Sequence, residues 1–246
     1  MTWSIVARAA DGSLGVAVAS RFFAVGALCP HAQAGVAALA TQALVNPTYA
    51  AQALAKLAGG GAPASVVDEL IGGDEGREHR QLHLIDAHGR IAAYTGSSCI
   101  DWCGHLPGDG YSVAGNMLAG RYVLDATAAA YESAAPLPFA QRLLDALRAG
   151  DDAGGDKRGK QAAALIAYGT ETYPVLDLRV DDHAEPMLEL QRLYDKSRER
   201  FQAFVECLPT AARPAGITDR ALIEAHVTRR LAQLAAEDEE RRARRA

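Results

Sequence analysis

The sequence predicts an α+β fold in which helices enclose central sheets, and three observations carry that reading. The chain opens on a strand hairpin, two further strand pairs and two single strands follow, and its helices fall in blocks between groups of strands. A hydrophobic content of 49% over 246 residues supplies a core large enough for such an arrangement.

In TWSIVARAADGSLGVAVAS, Trp3, Ile5 and Ala7 alternate with polar neighbours and Asp11-Gly12 marks a tight turn. The second strand, Leu14 to Ala19, is small and apolar throughout, as expected of a strand covered on both faces. A third apolar segment, Gly35 to Ala40, leads into Thr41-Gln42, and polar residues at the exit of a buried strand are site candidates. Asn46-Pro47 caps a helix through Ala58, and Ala62-Pro63 starts a second that ends at Gly72-Gly73.

RQLHLID and RIAAYTG flank the turn Ala87-His88-Gly89 as a second hairpin, with Arg80-Gln81 at its start. An irregular loop is expected from Ser97 to Gly110, then a short strand YSVAG. Leu118, Tyr122, Val123, Ala126 and Ala130 repeat at helical spacing between Met117 and Glu132, and Pro136 to Ala149 forms an amphipathic helix. AALIAYG and VLDLRV form the last strand pair.

From Pro186 the character changes: Leu190, Leu193, Tyr194, Phe201 and Phe204 share one helical face, and Thr218-Asp219 opens a final helix. Its end, EDEERRARRA, reads as a solvated helix end or as a basic contact for a partner. The expected division is a main domain over 1–185 and a helical extension over 186–246 that packs on that domain or on a second subunit, giving a homodimer or higher homo-oligomer.

A net charge of -5 gives no general attraction for nucleic acid or anionic membrane. No apolar run reaches the roughly 18 to 20 residues that span a bilayer, and the amino terminus lacks a secretion pattern, so a cytoplasmic protein is expected. Four cysteines are too few for a disulfide scaffold.

Three charged or thiol-bearing clusters are candidate sites. In AGGDKRGKQ the glycines let the backbone approach a ligand while Asp156 and Arg158 present opposite charges; Arg158 suits a substrate carboxylate, or the two pair with each other and fix the loop. RVDDH gathers Arg179, Asp181, Asp182 and His183 at a strand end, where Asp and His serve as metal ligands, as acid and base, or as helix caps. Cys99, Cys103 and His105 have the spacing that begins a zinc site, yet no second close pair completes one. Thr41-Gln42 and Arg80-Gln81 together could line a substrate pocket, or each could be a hydrogen-bonded structural residue, and Asp182 and His183 are further substrate-binding candidates.

The arrangement Thr, strand, Asp-Gly turn, strand, Ser-Arg resembles the start of N-terminal-nucleophile (Ntn) hydrolases such as proteasome β-subunits. Joined to AVGALCPHAQAGVAALATQALVN, RQLHLID, AGNML, AGGDKRGKQAAAL and RVDDHAEPMLEL, it resembles the bacterial family catalogued as domain of unknown function 1028, from Thr2 to about Leu193. That resemblance implies a four-layer αββα sandwich and amide-bond hydrolysis of a small-molecule substrate, with no cofactor or metal. Thr2, freed by removal of Met1, would be the nucleophile, and its α-amine, with a pKa around 7.7 to 8.0, the base. Ala19 stands where the proteasome-like pattern has an acid before Ser20-Arg21, and the strand from Gly35 to Ala40 has no lysine. In enzymes resembling bile-salt hydrolases an Arg follows the second strand and Asn residues surround the oxyanion, roles that fall here to Arg21 and Asn116; a strand-end ion pair and a helix cap are their structural alternatives. Two other functions stay open: a catalytically silent small-molecule binding protein of the same fold, and a metal-assisted hydrolase using Asp181, Asp182 and His183.

Overall fold

The structure, a computed structural model, describes residues 2–243. Met1, whose removal the sequence reading invokes, and the last three residues of EDEERRARRA lie outside the described residues. The fold is a mixed α+β arrangement with two antiparallel sheets.

The larger sheet is built from β1 (Thr2–Arg8), β2 (Leu14–Ser20), β7 (Trp102–Gly108), β8 (Tyr111–Leu118), β9 (Ala162–Tyr168) and β10 (Pro174–Val180), in the order β10-β9-β2-β1-β8-β7. The smaller sheet has the order β3-β4-β5-β6, from β3 (Pro30–Gln33), β4 (Ala37–Ala43), β5 (Arg80–Asp86) and β6 (Ile91–Thr95). The hairpin turn between β1 and β2 forms as its residues require: Gly12 takes φ +89° and Asp11 Oδ1 accepts from Ser13 N at 2.9 Å.

Strand alternation sorts the side chains. Val6, Val16 and Val18 of the larger sheet meet Ala38, Ala40 and Ile85 of the smaller one in a shared core. On the other side of the smaller sheet, Leu39, Leu82 and Leu84 pack with α1 (Thr48–Ala58) and α2 (Pro63–Gly72). On the other side of the larger sheet, Trp3 lies under α3 (Tyr122–Ser133) and α4 (Phe139–Asp152), and its Nε1 donates to Leu147 O at 3.3 Å. The backbone of α4 comes so close there that a Cβ on Gly150 would strike Thr127 Oγ1 and lie 2.7 Å from Trp3 Nε1.

Four expectations change. PHAQ is a strand, β3, and β4 runs on to Ala43, so Thr41 and Gln42 lie within a strand rather than at its exit. The segment expected as an irregular loop contains β7, which tolerates Pro107 because it is an edge strand with one unpaired side. β8 continues to Leu118, which delays α3 to Tyr122. α4 starts at Phe139, three residues beyond the expected Pro136.

By contact density the chain separates into two compact units, Met1–Gln191 and Arg192–Ala246, with the division inside α5 (Pro186–Glu199). The second unit holds α6 (Phe201–Val205) and α7 (Arg220–Ala243); Asp219 Oδ1 caps the latter through Ala221 N at 2.8 Å, and Arg198 pairs with Asp238 at 2.6 Å. No helix among the described residues is long and apolar enough to cross a membrane.

Candidate active site

One end of the space between the sheets is polar. Thr2 and Ser4 of β1, Ser20 of β2 and Asn116 of β8 face Gln42 of β4 and Gln81 of β5, and every one of them is buried. His83 and Ser112 extend the same layer. Buried polar groups of this density are tolerated only when they satisfy one another.

Two backbone carbonyls set the direction of the whole network. Gln81 Nε2 lies 2.9 Å from Gly104 O and 2.9 Å from Gly115 O, and since a carbonyl only accepts, the amide of Gln81 has one permitted orientation. Its Oε1 then accepts from Gln42 Nε2 at 2.7 Å and from Asn116 Nδ2 at 3.1 Å. That orients Gln42, whose Oε1 accepts from Ser4 Oγ at 2.7 Å. Ser4 has one proton, so at its second partner it accepts: His83 Nε2–H donates to Ser4 Oγ at 2.8 Å, and His83 Nδ1 accepts from Ser112 Oγ at 3.1 Å. Burial, reinforced by the nearby His105, pulls the His83 pKa down to about 3, so the ring is neutral at physiological pH.

Thr2 is the first residue of β1, a strand with neighbours on both sides, and its register partners are Ser20 on β2 and Asn116 on β8. Thr2 Oγ1 is 3.1 Å from Ser20 Oγ. Thr2 also lines a cavity of about 40 Å³ with Phe22, Val25, Cys29, Thr41 and Gln42, room for about two or three waters. Burial pushes the Cys29 thiol far up, which leaves it without thiolate character. A second cavity of about 430 Å³ lies at Leu44, His79, Cys99, Ile100, Asn116 and Met117, and Ala43 is common to both cavities.

Backbone strain gathers at these two cavities. Among the described residues four non-glycines have positive φ: Ala24 (52°), Ala43 (69°), Asp101 (56°) and Met117 (53°). Ala43 and Met117 line a cavity, while Ala24 and Asp101 adjoin the lining residues Val25 and Ile100. Each such residue costs on the order of 1 to 3 kcal/mol, and sites that hold or transform ligands are where such strain clusters.

The residues singled out in the sequence divide into groups. Thr2, Asn116, Thr41 and Gln42 come together at the cavities, although Thr41 Oγ1 is also engaged by Asn46, donating to its O at 3.2 Å and accepting from its N at 3.3 Å. Arg21, Asp156 and Arg158 meet at the exit of β2: buried Asp156 accepts from Arg21 N at 3.0 Å and Arg158 N at 2.7 Å, and Arg21 Nη1 reaches Lys160 O at 3.4 Å. This loop is thereby fastened beside Ser20. Arg80 points elsewhere, to Asp74 at 3.1 Å and to Leu44 O at 2.6 Å, and Asp74 is held well below the usual carboxylate range, chiefly by the Tyr49 hydroxyl. Asp182 accepts from Gln161 Nε2 at 3.0 Å, His183 Nδ1 accepts from Glu185 N at 3.0 Å, and Asp181 pairs with Arg179. Among the described residues no three His, Cys, Asp or Glu side chains stand close enough to hold a metal. Sequence reasoning missed Ser4, His83 and Ser112 as site residues, and had Gln81 only as a candidate for lining a pocket. Their signal was the period of two in TWS, QLH and SVAGN, which puts polar side chains on one strand face.

A model of a family of unknown function, DUF1028, matches residues 2–190. The chain belongs to the DUF1028 family. The DUF1028 region therefore carries the whole polar layer and both cavities. Its fold is shared with the crystal structure of protein SPO2555 from Silicibacter pomeroyi, described by the same family, at 31% identity and a TM-score of 0.82 over 89% of this chain and 96% of that one. No curated protein matches the chain.

Proposed function

We propose that this DUF1028 protein is an Ntn-hydrolase-like enzyme, its domain a four-layer αββα sandwich, that hydrolyses a small amide or related C–N bond through Thr2 after Met1 is removed. The observation that carries the reading is the position of Thr2: first residue of an internal strand, flanked in register by Ser20 and Asn116, at a cavity walled by strained backbone.

In this reading the free α-amine of Thr2 takes the Oγ1 proton as Oγ1 attacks the carbonyl carbon. The oxyanion is stabilised by Asn116, one of whose two amide hydrogens is held by Gln81, leaving the other for the cavity that Asn116 lines. Collapse breaks the C–N bond, the amine leaves with the proton, and water then releases the acid and restores Thr2. Arg21, Asp156 and Arg158 serve this chemistry by fixing the end of β2 beside Ser20.

One observation favours a second reading, a small-molecule binding protein without turnover. Among the described residues neither cavity is lined by a lysine or a carboxylate, the groups that support proteasome-like sites. Release of amine or ammonia from a panel of simple amides, lactams and acylated amino acids separates the two. Turnover that vanishes in Thr2→Ala and partly survives in Thr2→Ser supports the enzyme; turnover unchanged in Thr2→Ala removes Thr2 from the chemistry.

A further inference from the structure

The larger cavity, about 430 Å³, falls in the range of roughly 300 to 1,000 Å³ typical of small-molecule sites. Among the described residues its lining holds no Asp, Glu, Lys or Arg: the side chains are Ala43, Leu44, Ile100 and Met117, with the polar groups of His79, Ser98, Cys99 and Asn116. Leu44 and Ile100, both lining this cavity, are 60% and 63% exposed and so present aliphatic surface to solvent beside it.

The walls are built rather than incidental. Leu44 N donates to His79 O at 3.0 Å, Met117 N donates to Ile100 O at 3.1 Å, and Cys99 Sγ reaches Arg80 O at 3.4 Å, so the segments on each side are tied to one another. Ala43, Asp101 and Met117 hold positive φ at or beside this wall, a backbone cost of the kind that clusters at ligand sites. Asn116, the register partner of Thr2, is one of the polar groups of the cavity, and Ala43 lines both this cavity and the small one at Thr2.

We infer that this cavity is the subsite for an uncharged, apolar acyl or aryl group on the carbonyl side of the substrate, the scissile carbonyl lying between Thr2 and Asn116. The inference rests on the proposed hydrolase reading for its orientation. The 40 Å³ cavity on the other side of Ala43 then suits a small leaving amine or ammonia, and the water that follows it. A carboxylate or ammonium group in the larger cavity would lose hydration without gaining an Asp, Glu, Lys or Arg partner from the described lining. Covering Leu44 and Ile100 with a methylene chain removes apolar surface on both partners from water.

The test uses the full chain and a series of primary amides, acetamide to octanamide with benzamide and succinamate, followed by ammonia release and by saturation-transfer NMR on Thr2→Ala. The subsite predicts that KM falls about three- to fourfold per added methylene until the cavity is filled, that benzamide binds and that succinamate does not. Because Leu44 and Ile100 are exposed, Leu44→Asp and Ile100→Glu leave the fold intact; each should raise KM for hexanamide at least tenfold with kcat little changed. Binding of hexanamide to Thr2→Ala that is lost in these variants supports the subsite even when no amide is turned over, in which case only the hydrolase reading falls. Turnover with flat chain-length dependence, or with KM unmoved by both substitutions, overturns the subsite and leaves the hydrolase reading standing.

Discussion

Gln81 Oε1 accepts a hydrogen bond from Asn116 Nδ2 at 3.1 Å while Gln81 Nε2 faces the carbonyls of Gly104 and Gly115, each at 2.9 Å. The amide of one strand thus fixes the amide of another across the two sheets, and the fixed one stands opposite Thr2. Replacing Gln81 by the similarly shaped Met leaves two carbonyls and two donors without this partner in the buried polar layer. Urea unfolding of Gln81→Met should show a loss of about 3 kcal/mol or more. A loss below about 1 kcal/mol would mean that the polar layer does not hold the sheets together.

The buried His83 makes stability depend on pH. Its folded pKa is depressed to about 3, whereas an unfolded His titrates near 6.5, so between these values the unfolded chain binds the extra proton. Its contribution is complete above about pH 6.5 and is lost on acidification towards pH 3. Urea titrations of the protein and of His83→Gln should therefore differ in slope by close to one proton over this window. Equal slopes would place the proton on His83 in the folded state as well.

Gly150 decides between two opposing effects. Gly→Ala within a helix ordinarily stabilises by about 0.5 to 1 kcal/mol, but here the new Cβ would strike Thr127 Oγ1 and lie 2.7 Å from Trp3 Nε1. Overpacking costs about 1 to 3 kcal/mol and should win, so Gly150→Ala lowers the melting temperature. A rise would show that α4 can retreat from Trp3.

Two of the four edge strands, β3 and β7, escaped the sequence reading for the same reason. β3 contains Pro30, and β7 contains Pro107 with Gly104 and Gly108 and is followed by Gly110, all signals for a loop, yet each strand lies at an edge where one side of the backbone needs no partner. Central strands such as LGVAVAS were legible from composition, because burial on both faces demands it. The candidate site was legible in part. Thr2 and Asn116 carry their own signals, whereas Gln81 and His83 matter only because β5 faces β1 and β8 across the interior, a pairing no local spacing encodes. Arg80, Asp182 and His183 looked chemical and are engaged by Asp74, Gln161 and Glu185.

The strain at the cavities can be released by substitution. Ala43 has φ 69°, a conformation glycine adopts freely, so Ala43→Gly should gain up to about 1 kcal/mol in urea unfolding, set against the greater freedom of glycine in the unfolded chain. The same change should weaken ligand binding, since it frees the wall shared by both cavities. A variant of unchanged stability and affinity would remove strain from the account.

The central claim is that Thr2 acts through its own α-amine, and intact-mass spectrometry of protein that turns over an amide tests it most directly. The expected mass is that of a chain lighter by one methionine, beginning at Thr2. A mass retaining Met1 in active protein would contradict it.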